Sequence, residues 1–187
     1  REAPCSCPSL VDLHEIALLV GIRDTWQTHS IDFEIASNLS AFLSFVALED
    51  LLAMPPDEVL RQGQAMGPRI RAKTIAGARD AVRDATHLHI GPHHVLLFPG
   101  GVLSSEASTL APKNGIVVAY DFLHEGDDMR IQFSLRSRNG LDVSALASKM
   151  GGGGHKAAAG FNVPFTPEWY RDPVSIVRGL FADVPAP

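Results

Sequence analysis

Apolar residues recur at helical spacing through the first 85 residues and at strand spacing after about residue 86. Leu13, Ile16, Ala17 and Val20 return every three or four residues, which predicts a helix with one apolar side. Ser9 is its expected N-cap, with Asp12 three residues on, and Gly21 is its expected end. Ile22 to Trp26 then reads as a short polar stop. Further helices are predicted over 32–45 and 48–54, before Pro55 and Pro56 break the chain. Asp57 is expected to cap a long helix to about Ala85, with Val59, Met66, Ile70, Ala78, Ala81 and Ala85 near one face. Pro68 cannot donate back to Gln64, and Gly63 and Gly67 lie beside it, so a kink is expected there.

Val95 to Phe98 and Ile116 to Tyr120 are short runs of β-formers. Over Met129 to Leu135 the pattern alternates. Met129, Ile131, Phe133 and Leu135 point one way, and Arg130, Gln132 and Ser134 the other. Glu125 to Asp128 reads as a turn, which makes the last two strands an antiparallel pair. Short helices are predicted over 105–110 and from the cap Asp142 to Met150. A strand follows at Phe161 to Val163, and a last helix over Pro173 to Phe181 capped by Asp172. The fold class is therefore α/β: a helical N-terminal segment followed by a domain with a mixed sheet.

Composition narrows the classes. Apolar residues make up 45% and charged residues 20% of 187, which excludes a largely disordered or collagen-like chain. No apolar run approaches the roughly 20 residues that cross a bilayer, so no membrane partner is expected. Sixteen basic against 21 acidic residues give a net charge of −5, unlike a protein that coats duplex DNA. Cys5 and Cys7 are too few for a disulfide framework and cannot close a zinc site alone, so a cytoplasmic location is expected. The chain begins at Arg1 with no signal segment and reads as a fragment or a processed product.

The charge is unevenly placed. From Arg130 to Lys156 there are five Lys or Arg and one acidic residue, Asp142. Within that stretch Arg136, Ser137 and Arg138 end a strand, and an arginine fork binds two phosphate oxygens together. Gly151, Gly152, Gly153 and Gly154 follow, then His155 and Lys156. Consecutive glycines allow close backbone approach and can aim N–H groups at an anion, while His155 and Lys156 add donors and charge. A linker would more often alternate Gly with Ser, and this run is framed by a helix and by small apolar residues.

Ser134-Leu135-Arg136-Ser137, then Asp142-Val143-Ser144, Ala147 and Gly151 to Phe161 resemble the C-terminal substrate-binding domain of the DHH phosphoesterases. That family includes bacterial oligoribonuclease and phosphoadenosine-phosphate phosphatases, RecJ-type single-strand exonucleases and cyclic dinucleotide phosphodiesterases. The resemblance is dense over about 28 residues and extends from about Leu88 to Val163. It implies three parts: 1–56 as the tail of a DHH catalytic domain, 57–86 as a connecting helix and 87–187 as the DHH-associated substrate-binding domain. It further implies hydrolysis by two manganese or magnesium ions in the full-length enzyme, with no metal held tightly by this part. The implied phosphate-binding residues are Arg136, Ser137, Arg138, Gly151, Gly152, Gly153, Gly154, His155 and Lys156. The implied partners are a short oligonucleotide, phosphoadenosine phosphate or a cyclic dinucleotide, and a second copy of the chain in a homodimer. A related glycine-rich domain ends alanyl-tRNA synthetases, whose editing-domain context is not visible here.

The Asp-His-His and Asp-x-Asp signatures are absent from this sequence. Pro92-His93-His94 imitates the first, but proline replaces its aspartate at a strand start, which favours a structural role. Gly21-Ile22-Arg23-Asp24-Thr25-Trp26 resembles the last catalytic-domain motif, so Asp24 is a candidate metal ligand; a helix–helix turn explains it equally well. His14, His29, His87, His89 and His124 read as surface or core histidines. Trp169 and Tyr170 read as packing rather than as a base-stacking pair, and Ser104 and Ser105 as a helix start or a phosphate contact. Without its metal motifs the chain also permits a different class, a regulatory module that holds nucleotides without hydrolysing them.

Overall fold

A computed structural model describes residues 10–113, 115–126, 128–138 and 140–182. Ser9, Cys5 and Cys7 lie outside the described residues, as do the side chains of Asp12, Trp169 and Tyr170. The chain divides into two compact units, Arg1–Lys73 and Thr74–Pro187.

The first unit holds helices α1 (Leu10–Asp24), α2 (Phe33–Leu43), α3 (Leu48–Ala53) and the N-terminal part of α4 (Pro56–Asp84). Its core joins Leu19, Ile22, Ala36, Leu39, Phe42 and Val59. Two expectations for α1 are corrected. It runs through Gly21 to Asp24, since one glycine costs a helix only about 1 kcal/mol against alanine. Its buried side is Leu19 and Ile22 with Ile16 partly covered, whereas Leu13 and Val20 are exposed. Along α4, Val59 and Ala78 are buried, but Met66 is exposed. The helix is continuous across Pro68. Gly63 and Gly67, expected to weaken it, are close contact points instead. A Cβ on Gly63 would sit 2.7 Å from Leu39 Cδ1, and one on Gly67 would sit 2.6 Å from the Asn38 carbonyl carbon. Helix α2 lies against a side of α4 that has no side chains there.

The second unit is a six-stranded mixed sheet in the order β1-β2-β3-β4-β6-β5. Its strands are β1 (Thr86–Ile90), β2 (His93–Pro99), β3 (Gly115–Glu125), β4 (Asp128–Ser137), β5 (Gly153–His155) and β6 (Ala158–Pro164). Among the described strands only the neighbours β2 and β3 run parallel, joined by a 3-10 turn at Gly101–Leu103 and helix α5 (Ser104–Leu110). Strands β1 and β5 were not expected. The polar alternation of Thr86, His87 and His89 and the glycine run both mask an edge strand. Strand β6 is longer than the stretch Phe161 to Val163 because Ala158 to Gly160 pair with β4.

One face of the sheet carries the larger core: Val95, Leu97, Ile116, Val118, Phe133, Leu135 and Phe161. Helices α6 (Val143–Lys149) and α8 (Pro173–Phe181) cover it with Val143, Leu146, Val177 and Leu180, while α7 (Pro167–Arg171) precedes α8. Phe133 and Phe161 are cross-strand partners whose rings stack at 4.9 Å between centroids. The opposite face is apolar only on β2 and β3. There Leu96, Phe98, Val117 and Ala119 pack with Ala78 of α4 and Ala107 of α5. As expected, Asp142 caps α6 by accepting from Ser144 N and Ala145 N, and Asp172 caps α8 by accepting from Ser175 N.

Candidate functional site

The half of that second face on β4 and β6 is where the chemistry gathers. Directly paired residues share a face. Following the register across the sheet from β2 gives Leu96, Val117, Arg136, Ala158 and His155 in one row. The next row holds Phe98, Ala119, Ser134, Gly160 and Gly153. Beyond it stand Asp121, Gln132 and Asn162, and then Leu123, Arg130 and Pro164. The first two rows therefore turn from apolar, where α4 and α5 pack on β2 and β3, to small or polar toward β6 and β5. Arg136 and His155 flank Ala158, about 10 Å apart by strand spacing. An open groove of about 480 Å³ is lined by Arg130, Gln132, Gly151, Gly152, Gly153, Gly160, Phe161 and Asn162, one or more rows away from Arg136 and His155.

Helix α6 explains why the glycines begin where they do. Gly151 has φ +76°, a left-handed conformation that glycine adopts without a Cβ penalty. Its N–H donates to Ser148 O at 3.1 Å, and Gly152 N–H donates to Ala147 O at 2.9 Å. These two bonds close the helix C-terminus. The expectation that all four glycines aim N–H groups at an anion is thus corrected for Gly151 and Gly152. What the run contributes is a floor without side chains. Gly152 packs on β6, where a Cβ would fall 2.5 Å from Phe161 Cβ, while a Cβ on Gly153 would enter open space.

The remaining candidates separate. Arg136 is half-buried and donates from Nη1 to Leu135 O at 3.0 Å. Ser137 is buried on the opposite face, in register with Ile116, so its expected place in the site is corrected by strand alternation. Arg138 is exposed beyond the strand, with Nη1 3.5 Å from Thr109 O. Gly154 pairs with Ala159, and Lys156 lies in the β5–β6 turn near Asp142. The Asp142 carboxyl is held below its ordinary value, first by the Ser144 hydroxyl, then by Ala145 N–H, and also by the Lys156 charge. Arg130, Gln132, Gly160 and Asn162, which line the groove, are not among the site residues expected from the sequence. The period of two that put Arg130 and Gln132 on the outward side of β4 also puts them on the Arg136 face.

Asp24 is exposed at the end of α1. Among the described residues no three His, Cys, Asp or Glu side chains converge to hold a metal ion. The described donor set does not fit a two-metal centre. His93 is buried at the start of β2, in keeping with a structural role. His87 Nδ1 and His94 Nε2 lie 2.9 Å apart on the β1–β2 hairpin, and His89 stacks on His94. Burial, then the neighbouring His87 and His89, hold the His94 imidazole below its ordinary value. No described helix is long and apolar enough to cross a membrane.

Residues 96–169 match the DHHA1 domain family. Over these residues the chain is similar to DHH-associated domains. The match spans β2 to α7 and so contains the whole basic half-face and groove. Among solved structures, the chain is similar to a pGpG-specific phosphodiesterase from Vibrio cholerae, at 14% identity and TM-score 0.44. That likeness covers 90% of this chain and 59% of the phosphodiesterase. The C-Ala domain of Aquifex aeolicus alanyl-tRNA synthetase is similar at 17% identity and TM-score 0.36, over 52% of this chain and 98% of that domain. The DHH domain of a member of a ribosomal-protein family is similar at 15% identity and TM-score 0.44, over 79% of this chain and 40% of that one. No curated protein matches the chain.

Proposed function

We propose that the DHHA1 domain of this chain grips the phosphate of a short oligonucleotide or small nucleotide, as the binding part of a metal-dependent phosphodiesterase or phosphatase. The row Arg136, Ala158, His155 carries the reading. A planar cation and a titratable donor flank a methyl group, beside a floor of glycines that lets a ligand lie close to the backbone. This chain's part in the reaction is to bind, orient and neutralise charge. Manganese or magnesium would activate water in the whole enzyme. Phosphoadenosine phosphate and a cyclic dinucleotide stand beside a short oligonucleotide as ligands of the right charge.

The test is calorimetric titration of the chain with a 5′-phosphorylated dinucleotide, phosphoadenosine phosphate and a cyclic dinucleotide. Arg136→Ala should weaken the best ligand by about 10- to 150-fold, the loss of a charge-assisted hydrogen bond of about 1.5–3 kcal/mol. Arg136→Lys should lose less, since it keeps the charge without the fork. The assignment fails if Arg136→Ala and His155→Ala both bind as tightly as the parent with the fold intact.

A further inference from the structure

Resting on that phosphate-site reading, we propose that Gln132 and Asn162 read the edge of a nucleobase. The ligand class is then a nucleotide or oligonucleotide with its base intact, rather than a phosphorylated sugar or phosphate alone. The two residues are direct cross-strand partners on the Arg136 face. Their Cβ atoms are therefore about 5 Å apart and their amides reach the same space. Both are exposed, and both line the groove with Gly152, Gly153 and Gly160. Neither side-chain amide bonds to another described residue.

A lone exposed amide is ordinary solvated surface. Two amides in register at the rim of a glycine floor are different. Each presents an acceptor oxygen beside N–H donors in one plane. That pattern complements a base edge with a donor next to an acceptor, as in the pairing of Asn or Gln with adenine. Asp121, the other neighbour of Gln132, is already engaged, because its Oδ2 accepts from Gly101 N–H at 2.8 Å.

The spacing also separates two functions along one strand. Arg136 and Gln132 are four residues apart on β4, roughly 13 Å. A phosphate held at the Arg136 row cannot itself reach the amide row. A ligand that touches both has a sugar and base beyond the phosphate. Between the rows the face carries Ser134, Gly160 and Gly153, so little side chain stands in the way of a flat ring.

The experiment compares two probes by calorimetry: a 5′-phosphorylated dinucleotide bearing adenines, and the same sugar–phosphate backbone with abasic sites. The parent should prefer the adenine probe by about 5- to 150-fold, the range for a bidentate amide–base pair. Gln132→Ala and Asn162→Ala should each shrink that preference, and the double variant should bring it near one. Their affinity for the abasic probe should stay within about twofold, since neither residue touches the phosphate end. Arg136→Ala should weaken both probes alike. If the double variant keeps the full preference while Arg136→Ala weakens both probes, base reading is overturned and the phosphate site stands. If the parent binds neither probe, both readings fall.

Discussion

A Cβ on Gly152 would come within 2.5 Å of Phe161 Cβ and 2.8 Å of its Cα, whereas one on Gly153 would meet nothing within 4 Å. The two neighbours therefore separate fold from function. Gly152→Ala forces β6 away from the loop and should lower the thermal unfolding midpoint, with about 1–3 kcal/mol lost as in other overpacked sites. Gly153→Val should leave stability within about 0.5 kcal/mol, like other substitutions into open space. It should still weaken binding of the adenine dinucleotide, because its side chain enters the groove. Equal effects of both variants on stability would overturn this division. The glycine run was legible in the sequence as a place of close approach. Which glycine serves the fold was not, because that depends on Phe161 across the register. Ser137 was misplaced for a related reason: it adjoins Arg136 in the chain, but alternation turns it to the other face.

At the scale of elements, the informative residues are those whose partner lies on another element. Gly→Ala inside a helix usually gains about 0.5–1 kcal/mol. At Gly67 the sign should reverse, since the new Cβ would stand 2.6 Å from the Asn38 carbonyl carbon and 2.9 Å from its Cα. Both are backbone atoms and cannot swing aside. Gly67→Ala should lower the unfolding midpoint, while Gly21→Ala, in open space on α1, should hold or raise it. The sequence shows Gly63 and Gly67 four residues apart, but not that α2 fills the space above them.

The β1–β2 hairpin should respond to acid. His94 is held below its ordinary value in the folded protein, by burial and then by His87 and His89. The unfolded chain therefore takes up a proton more readily. The stability tied to neutral His94 is complete above the ordinary value of about 6.5 and is lost as pH falls through the lower folded value. Amide hydrogen exchange in β1 and β2 should quicken between about pH 7.5 and 5.5 beyond its intrinsic pH dependence. His94→Asn should flatten that response. A parent hairpin equally protected at both pH values would sink the prediction. The sequence displays these histidines as scattered singletons, and only the cross-strand pairing brings them together.

For the whole molecule, the division at Lys73 falls within α4, because the two ends of that helix serve different cores: Val59 joins Leu39 and Phe42, and Ala78 joins Leu96 and Phe98. Runs of β-formers and period-two alternation made the sheet domain legible, since its strands bury most of the apolar residues they carry. The helical unit was less so, because its apolar residues exceed those it buries. Ile31 is 94% exposed, Leu52 78% and Phe45 66%, and Leu13, Leu18 and Leu48 are also exposed. Apolar surface of that extent favours association when no other partner covers it. The isolated chain should therefore form a dimer or larger species as its concentration rises, seen as a growing sedimentation coefficient. Ile31→Ser with Phe45→Ser and Leu52→Ser should shift the protein toward monomer without lowering its thermal midpoint, because these side chains are largely solvated in the folded chain. A parent that stays monomeric at millimolar concentration would show that these faces do not drive self-association.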